Sequence, residues 1–191
     1  MQYTTEIHSP VGSLTVASDG ESITGLWIKE QKYFGATLED EVIAGDLPVF
    51  ESAREWLNVY FGGKNPEFTP PLAPKGSAFR QMVWNILRAI PYGEVTTYQE
   101  IAKRIATQTG TDTMSAQAVG GAVGHNPISI IIPCHRVIGT NGSLTGYAAG
   151  VEVKAKLLAL EGFLMSPLGY RSGKGCPCPE REPLVHKRYF I

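Results

Sequence analysis

Between residues 2 and 29 the apolar positions come in short runs rich in β-branched and aromatic residues, "YTTEIHSPVGSLTVASDGESITGLWI", broken at Ser9-Pro10-Val11-Gly12 and at Ser18-Asp19-Gly20. Both breaks carry turn chemistry, so the pattern predicts a small antiparallel meander. From residue 48 the spacing becomes helical. Phe50, Ala53, Trp56, Leu57, Tyr60 and Phe61 form an apolar stripe, Pro48 suits the first turn and Gly62-Gly63 the end, which predicts a helix over 48–61. The Pro- and Gly-rich stretch "GGKNPEFTPPLAPKG" then reads as a linker. Beyond it, Phe79, Met82, Val83, Ile86, Leu87 and Ile90 share one face of a helix capped by Ser77 and stopped by Pro91-Tyr92-Gly93. "TYQE", Thr97 to Glu100, has capping-box spacing and opens a second helix over about 97–106. A third is expected near 115–123 and a last near 151–161, ending at Gly162. The tail from Met165 has no apolar period.

The pattern divides the chain into an N-terminal α/β unit with its linker (1–74), a helical unit (75–164) and a tail (165–191). Two helices joined by a short polar turn suggest a helix-turn-helix. Its second helix carries Gly120 and Gly121 in its middle, each costing roughly 1 kcal/mol relative to Ala. With Ser115, Ala116, Ala118 and Ala122 they make it thin, able to approach another helix or the wall of a DNA groove.

With 191 residues, 43% hydrophobic and 18% charged, the chain can bury a real core. No apolar run approaches the roughly 20 residues that span a membrane, and "MQYTTEIHSP" is not a secretory signal. The three cysteines, Cys134, Cys176 and Cys178, are odd in number and two are nearly adjacent, which argues against a disulfide framework and for a reducing cytoplasm. The net charge of −1 conceals an asymmetry. Residues 1–74 hold four basic and eleven acidic side chains, a net −7; residues 75–191 hold thirteen and seven, a net +6. A basic half favours a polyanion, because neutralised phosphates release counterions.

The chemistry concentrates in "IIIPCHRVIG", Ile130 to Gly139. Read as a buried strand over Ile128–Ile132, the run ends at Pro133, which cannot continue a ladder, and presents Cys134 at its mouth. Cysteine after an apolar strand is usually a small buried hydrophobe. Here His135 and Arg136 add positive potential, which favours thiolate. Adjacent side chains of an extended segment diverge, so a water between thiol and imidazole fits better than a direct dyad.

"PCHRV", with "GGAVGHNPISIII" before it and "GYAAGVEVKAKLLALEG" after it, resembles the signature of the O6-alkylguanine-DNA alkyltransferases, also called methylated-DNA–protein-cysteine methyltransferases. The likeness is strong from about Ser77 to Gly162 and looser over residues 1–74. It implies an α+β fold: a small ribonuclease-H-like α/β domain, then a helical domain whose helix-turn-helix enters the DNA minor groove. It implies repair by direct transfer, from O6-alkylguanine and less so O4-alkylthymine in double-stranded DNA, to Cys134, once per molecule. His135 acts through a water on the thiol and is oriented by Glu161; Asn126 buttresses the surrounding turns; Tyr98 presses on the DNA backbone and donates to the flipped base. Tyr147 and Gly150 line the base pocket. Gln117, Thr97, Ser115, Ala118 and Gly121 stand on the DNA side, and Arg136 is counted with them although it is read first as an anchor of the loop. A cytoplasmic monomer is implied, with no cofactor and no membrane.

The chain departs from the family at three points. Gln117 occupies the position where many members carry an arginine that slides into the base stack; glutamine gains no cation–π energy there but can hydrogen-bond the orphaned cytosine. The loop "TQTGTDT" is longer than in compact members. No cysteine precedes residue 134, so the structural zinc of some relatives is not expected, and Cys176, Cys178 and His186 in the tail are a weak metal signal, read instead as a loosely packed tail. An alkyltransferase-like binding protein lacks the acceptor cysteine, whereas Cys134 is present here; a cysteine hydrolase needs a distant His–Asn pair and an oxyanion hole, and a transcription regulator an added regulatory domain, and the sequence shows neither.

Overall fold

The computed structural model describes residues 1–163. The expectations for the tail, Cys176, Cys178 and His186 included, lie outside the described residues. The meander forms as β1 (Gln2–Ser9), β2 (Gly12–Ser18) and β3 (Ile23–Ile28), each antiparallel to the next. At the first turn the Ser9 hydroxyl accepts from Val11 N, and Gly12 takes a φ of +111°, a value open to glycine. A short strand, β4 (Val42–Ala44), joins β1 in parallel and completes the order β3-β2-β1-β4. Its three exposed residues show no stripe that the sequence could reveal.

Helix α1 (Pro48–Phe61) lays Phe50, Ala53, Trp56, Leu57 and Tyr60 on the sheet. Burying each large apolar side chain contributes about 1.5–3 kcal/mol. The open edge of β3 is closed by the rest of the chain: Ile23 pairs with the linker through Pro71 and Ala73, and Leu26 with Pro127 and Ser129, all at 2.8 Å. One continuous core therefore runs through both halves.

The second half contains α2 (Ala78–Arg88), β5 (Thr96–Thr97), α3 (Tyr98–Thr109), α4 (Ala116–Gly124), a 3-10 turn (Cys134–Arg136), β6 (Val137–Ile138) and α5 (Val151–Leu160). Ser77 caps α2, Thr97 and Glu100 close the capping box of α3, and Gly110 ends α3 in the left-handed region. Ser115 caps α4. Helices α3 and α4 pack on each other as a helix-turn-helix, and the buried Trp84 of α2 fixes α4 by donating to Ala122 O at 2.9 Å. No helix among the described residues is long and apolar enough to cross a membrane.

One expected element is absent. Ile128–Ile132 is no strand: it makes a single bridge to Leu26 and then coils through turns, with Ile130 at φ +70°. The apolar run is core, but Asn126 takes its backbone groups. Its side chain bonds Ile128 N, Ile128 O and Ile132 O, in competition with a ladder.

Candidate functional site

Cys134 opens the 3-10 turn, so Cys134, His135 and Arg136 are not extended as expected but wound into one turn, all buried (4%, 0% and 7% exposed). The two N–H bonds of the Asn126 amide are shared among Ile128 O, Ile132 O and Cys134 Sγ, the last at 3.1 Å. Burial raises the thiol pKa; the Asn126 hydrogen bond and the charge of Lys154 oppose that rise.

The His135 ring is anchored at one end. Its Nε2 lies 2.7 Å from Glu161 Oε1, while Nδ1 is buried with no hydrogen-bond partner among the described residues. Burial lowers the imidazole pKa, and Glu161 counters it. Glu161, the C-cap of α5, is the hub. It accepts from Tyr60 OH (2.8 Å), from Arg136 Nε and Nη2 (2.9 and 3.0 Å) and from Gly93 N (3.1 Å). Burial alone raises its pKa, but the donors from His135 and Arg136 outweigh that and bring it down to about 2. An ionised Glu161 places the imidazole proton on Nε2 and leaves the Nδ1 lone pair free.

Arg136 gives its remaining donor Nη1 to Ile90 O at 2.6 Å and sits over the Tyr92 ring. Its guanidinium faces inward, the geometry of an anchor, and leaves no charge to meet a phosphate. Its place among the DNA-side candidates is therefore withdrawn.

The other residues fall into two groups. Tyr98, at the first position of α3, lines a surface cavity of about 610 Å³ together with Gln117, Gly120, Thr140 and Gly146. Gly146 has φ +88°, and a Cβ there would stand 2.5 Å from the Tyr98 hydroxyl, so only glycine lets the ring pass and donate to Thr145 O at 3.0 Å. Burial first, then the nearby Cys134 charge, pushes the Tyr98 pKa up to about 12. Ser115, Gln117, Ala118 and Gly121 are exposed on α4, and the Thr97 and Ser115 hydroxyls serve as helix caps. Tyr147 and Gly150 do not line this cavity. Tyr147 is buried edge-on to His135, with its hydroxyl unpartnered among the described residues, and Gly150 starts α5.

Two residues of the site escaped the sequence reading. Lys154 is fully buried and donates to Val137 O and Thr145 O. Burial brings its pKa down to about 8, against the charge of Cys134. Its signal was its spacing: Lys154, Leu157, Leu158 and Glu161 share one helix face. Tyr60 belongs to the apolar stripe of α1 and has the sequence pattern of a core residue. A buried tyrosine seeks a partner for its hydroxyl, and Glu161 is that partner. Among the described residues no three His, Cys, Asp or Glu side chains converge as metal ligands.

This chain matches two family models: "6-O-methylguanine DNA methyltransferase, ribonuclease-like domain" over residues 2–74, and "6-O-methylguanine DNA methyltransferase, DNA binding domain" over residues 78–163. It is 46% identical over 160 residues to a methylated-DNA–protein-cysteine methyltransferase of Haemophilus influenzae, covering 83% of this chain and 86% of that one. It is 43% identical to the protein of that name in Methanosarcina acetivorans, covering 81% and 94%. The crystal structure of Mycobacterium tuberculosis OGT in complex with DNA superposes with a TM-score of 0.73 at 44% identity, covering 83% of this chain and 92% of that chain.

Proposed function

The chain belongs to the 6-O-methylguanine DNA methyltransferase family and carries out its reaction, transfer of a methyl group from DNA to a protein cysteine, and from that premise we propose that Cys134 is the acceptor, taking alkyl groups from O6 of guanine and less readily from O4 of thymine. The observation that supports this most is the buried turn itself: Asn126 on Sγ at one end, His135 held by Glu161 at the other, and the imidazole Nδ1 without a protein partner among the described residues.

O6 of guanine lies inside the duplex, so the nucleotide flips out at a cost of a few kcal/mol. In this reading α3 and α4 dock in the minor groove. Thr97, Ser115, Ala118 and Gly121 meet the DNA, Gln117 fills the gap left by the base, and the base enters past Tyr98 toward Tyr147 and Gly150. At rest the thiol is protonated and the imidazole neutral, as their burial dictates. A water between Sγ and Nδ1 passes the thiol proton to His135, and the ionised Glu161 stabilises the imidazolium. Sγ attacks the alkyl carbon; the C–S bond forms as the C–O6 bond breaks. The electron pair stays with the purine, which takes up the relayed proton while Tyr98 donates to it. The thioether product meets no group that would hydrolyse it, so each molecule reacts once. The reading includes a cytoplasmic monomer with residues 1–74 and 75–164 as its two units.

Intact-protein mass spectrometry with excess duplex bearing O6-methylguanine tests it. One methyl group per chain and no further turnover are expected; catalytic release of product beyond the amount of protein overturns the reading.

The role of Gln117 has its own test. Gln117→Ala is expected to slow single-turnover transfer from duplex by about tenfold, part of the few kcal/mol that flipping costs, and to slow reaction with free O6-benzylguanine far less. Gln117→Arg should match or exceed the wild-type duplex rate. Equal losses on both substrates assign Gln117 to the pocket instead.

A further inference from the structure

We infer that Lys32, in the N-terminal unit, contacts a backbone phosphate of the bound duplex beside the flipped nucleotide, so that the DNA surface continues past the helix-turn-helix onto the loop after β3. This deepens the reading above and rests on it.

The exposed face of α4 does not stop at the helix end. Gln117 and Gly121 are four residues apart, and the next position on that face is His125, whose Nδ1 lies 2.7 Å from Gly121 O. Tyr33 stacks on the His125 ring, with centroids 3.9 Å apart and planes at 25°. The face therefore passes from the helix to the loop that carries Lys32.

That loop also touches the base pocket. Lys32 N–H donates to Ala148 O at 2.9 Å, and Ala148 adjoins Tyr147. A nucleotide whose base passes this lip leaves its own phosphates outside it, within reach of a lysine side chain rooted there. The loop is a built platform. Gln31 is buried, and its Oε1 accepts from Ile28 N (2.9 Å) and from Ser129 Oγ (3.0 Å), which ties the loop to the turns around Cys134. Tyr33 is held at φ +62°, a conformation that bulky residues adopt only when their surroundings impose it.

The charge fits a polyanion. Lys32 is one of four basic side chains in a half with net −7, yet its backbone bonds Ala148 and its neighbour Tyr33 stacks on His125, both in the basic half. Its ammonium is exposed, lies 4.9 Å over the Tyr33 ring, and meets no carboxylate among the described residues. A stack that served only to pack the two halves would not respond to salt, whereas a phosphate contact must.

The test is binding to a labelled, unmodified duplex by fluorescence anisotropy over a series of NaCl concentrations, with wild type, Lys32→Gln and Lys32→Arg. The logarithm of affinity against the logarithm of salt loses about 0.9 in slope for each phosphate contact removed. Lys32→Gln should show that loss with weaker binding at low salt, and Lys32→Arg should keep the wild-type slope. A Lys32→Gln slope equal to wild type overturns the inference while the DNA-binding reading stands. A wild-type protein whose affinity ignores salt sinks the reading, and the inference with it.

Discussion

A Glu161→Gln protein is expected to lose about 3–5 kcal/mol of folding stability, the cost of breaking a buried ion pair from one side. The carboxylate is enclosed by Tyr60, Gly93, His135 and Arg136, and its side chain has no exposure. Glutamine keeps the shape but removes the charge that balances the buried Arg136 guanidinium and replaces one of its two acceptor oxygens with a donor. It also removes the anion that fixes the imidazole proton on Nε2, so transfer should fall by about a hundredfold or more, the usual worth of a positioned general base. The same network predicts a pH profile. Glu161 is depressed from 4.5 to about 2 in the folded protein, so its contribution is complete above pH 4.5 and is lost as pH falls toward 2. That contribution is roughly 3 kcal/mol, from 1.36 kcal/mol per unit. Urea denaturation from pH 6 to 2 should show this loss in wild type and not in Glu161→Gln. Parallel pH curves for the two proteins contradict the assignment of Glu161 as the hub.

The parts of this molecule that were legible in the sequence are those whose signal is local. The stripe Phe50 to Phe61 gave α1, the spacing of Thr97 and Glu100 gave the cap of α3, and the contiguous Pro133–Val137 motif pointed to the buried turn of Cys134–Arg136. What stayed hidden depends on distant partners. Tyr60 and Glu161 are 101 residues apart and meet only because α1 and α5 pack around the same turn. Lys154 shares a helix face with Leu157 and Leu158, but the carbonyls of Val137 and Thr145 that let an ammonium be buried there come from other parts of the chain. The run Ile128–Ile132 has strand composition, yet the side chain of Asn126 claims its backbone groups, and composition cannot reveal that competition. Strand β4 has three exposed residues and exists through its pairing with β1.

Cys134→Ser is expected to abolish transfer altogether while leaving duplex binding in place. A serine hydroxyl offers Asn126 a similar acceptor, so the turn should persist, but neither His135 nor Glu161 can generate a useful alkoxide where a thiolate is needed. Any residual methyl uptake by Cys134→Ser would mean that a second acceptor exists, and the tail cysteines Cys176 and Cys178 are the obvious rivals. The most direct measurement is peptide mapping by mass spectrometry of the wild-type protein after reaction with O6-methylguanine duplex. The account predicts one methyl group, on the peptide containing Pro133–Val137 and assigned to Cys134; a methyl group on Cys176 or Cys178 with Cys134 unmodified would contradict it.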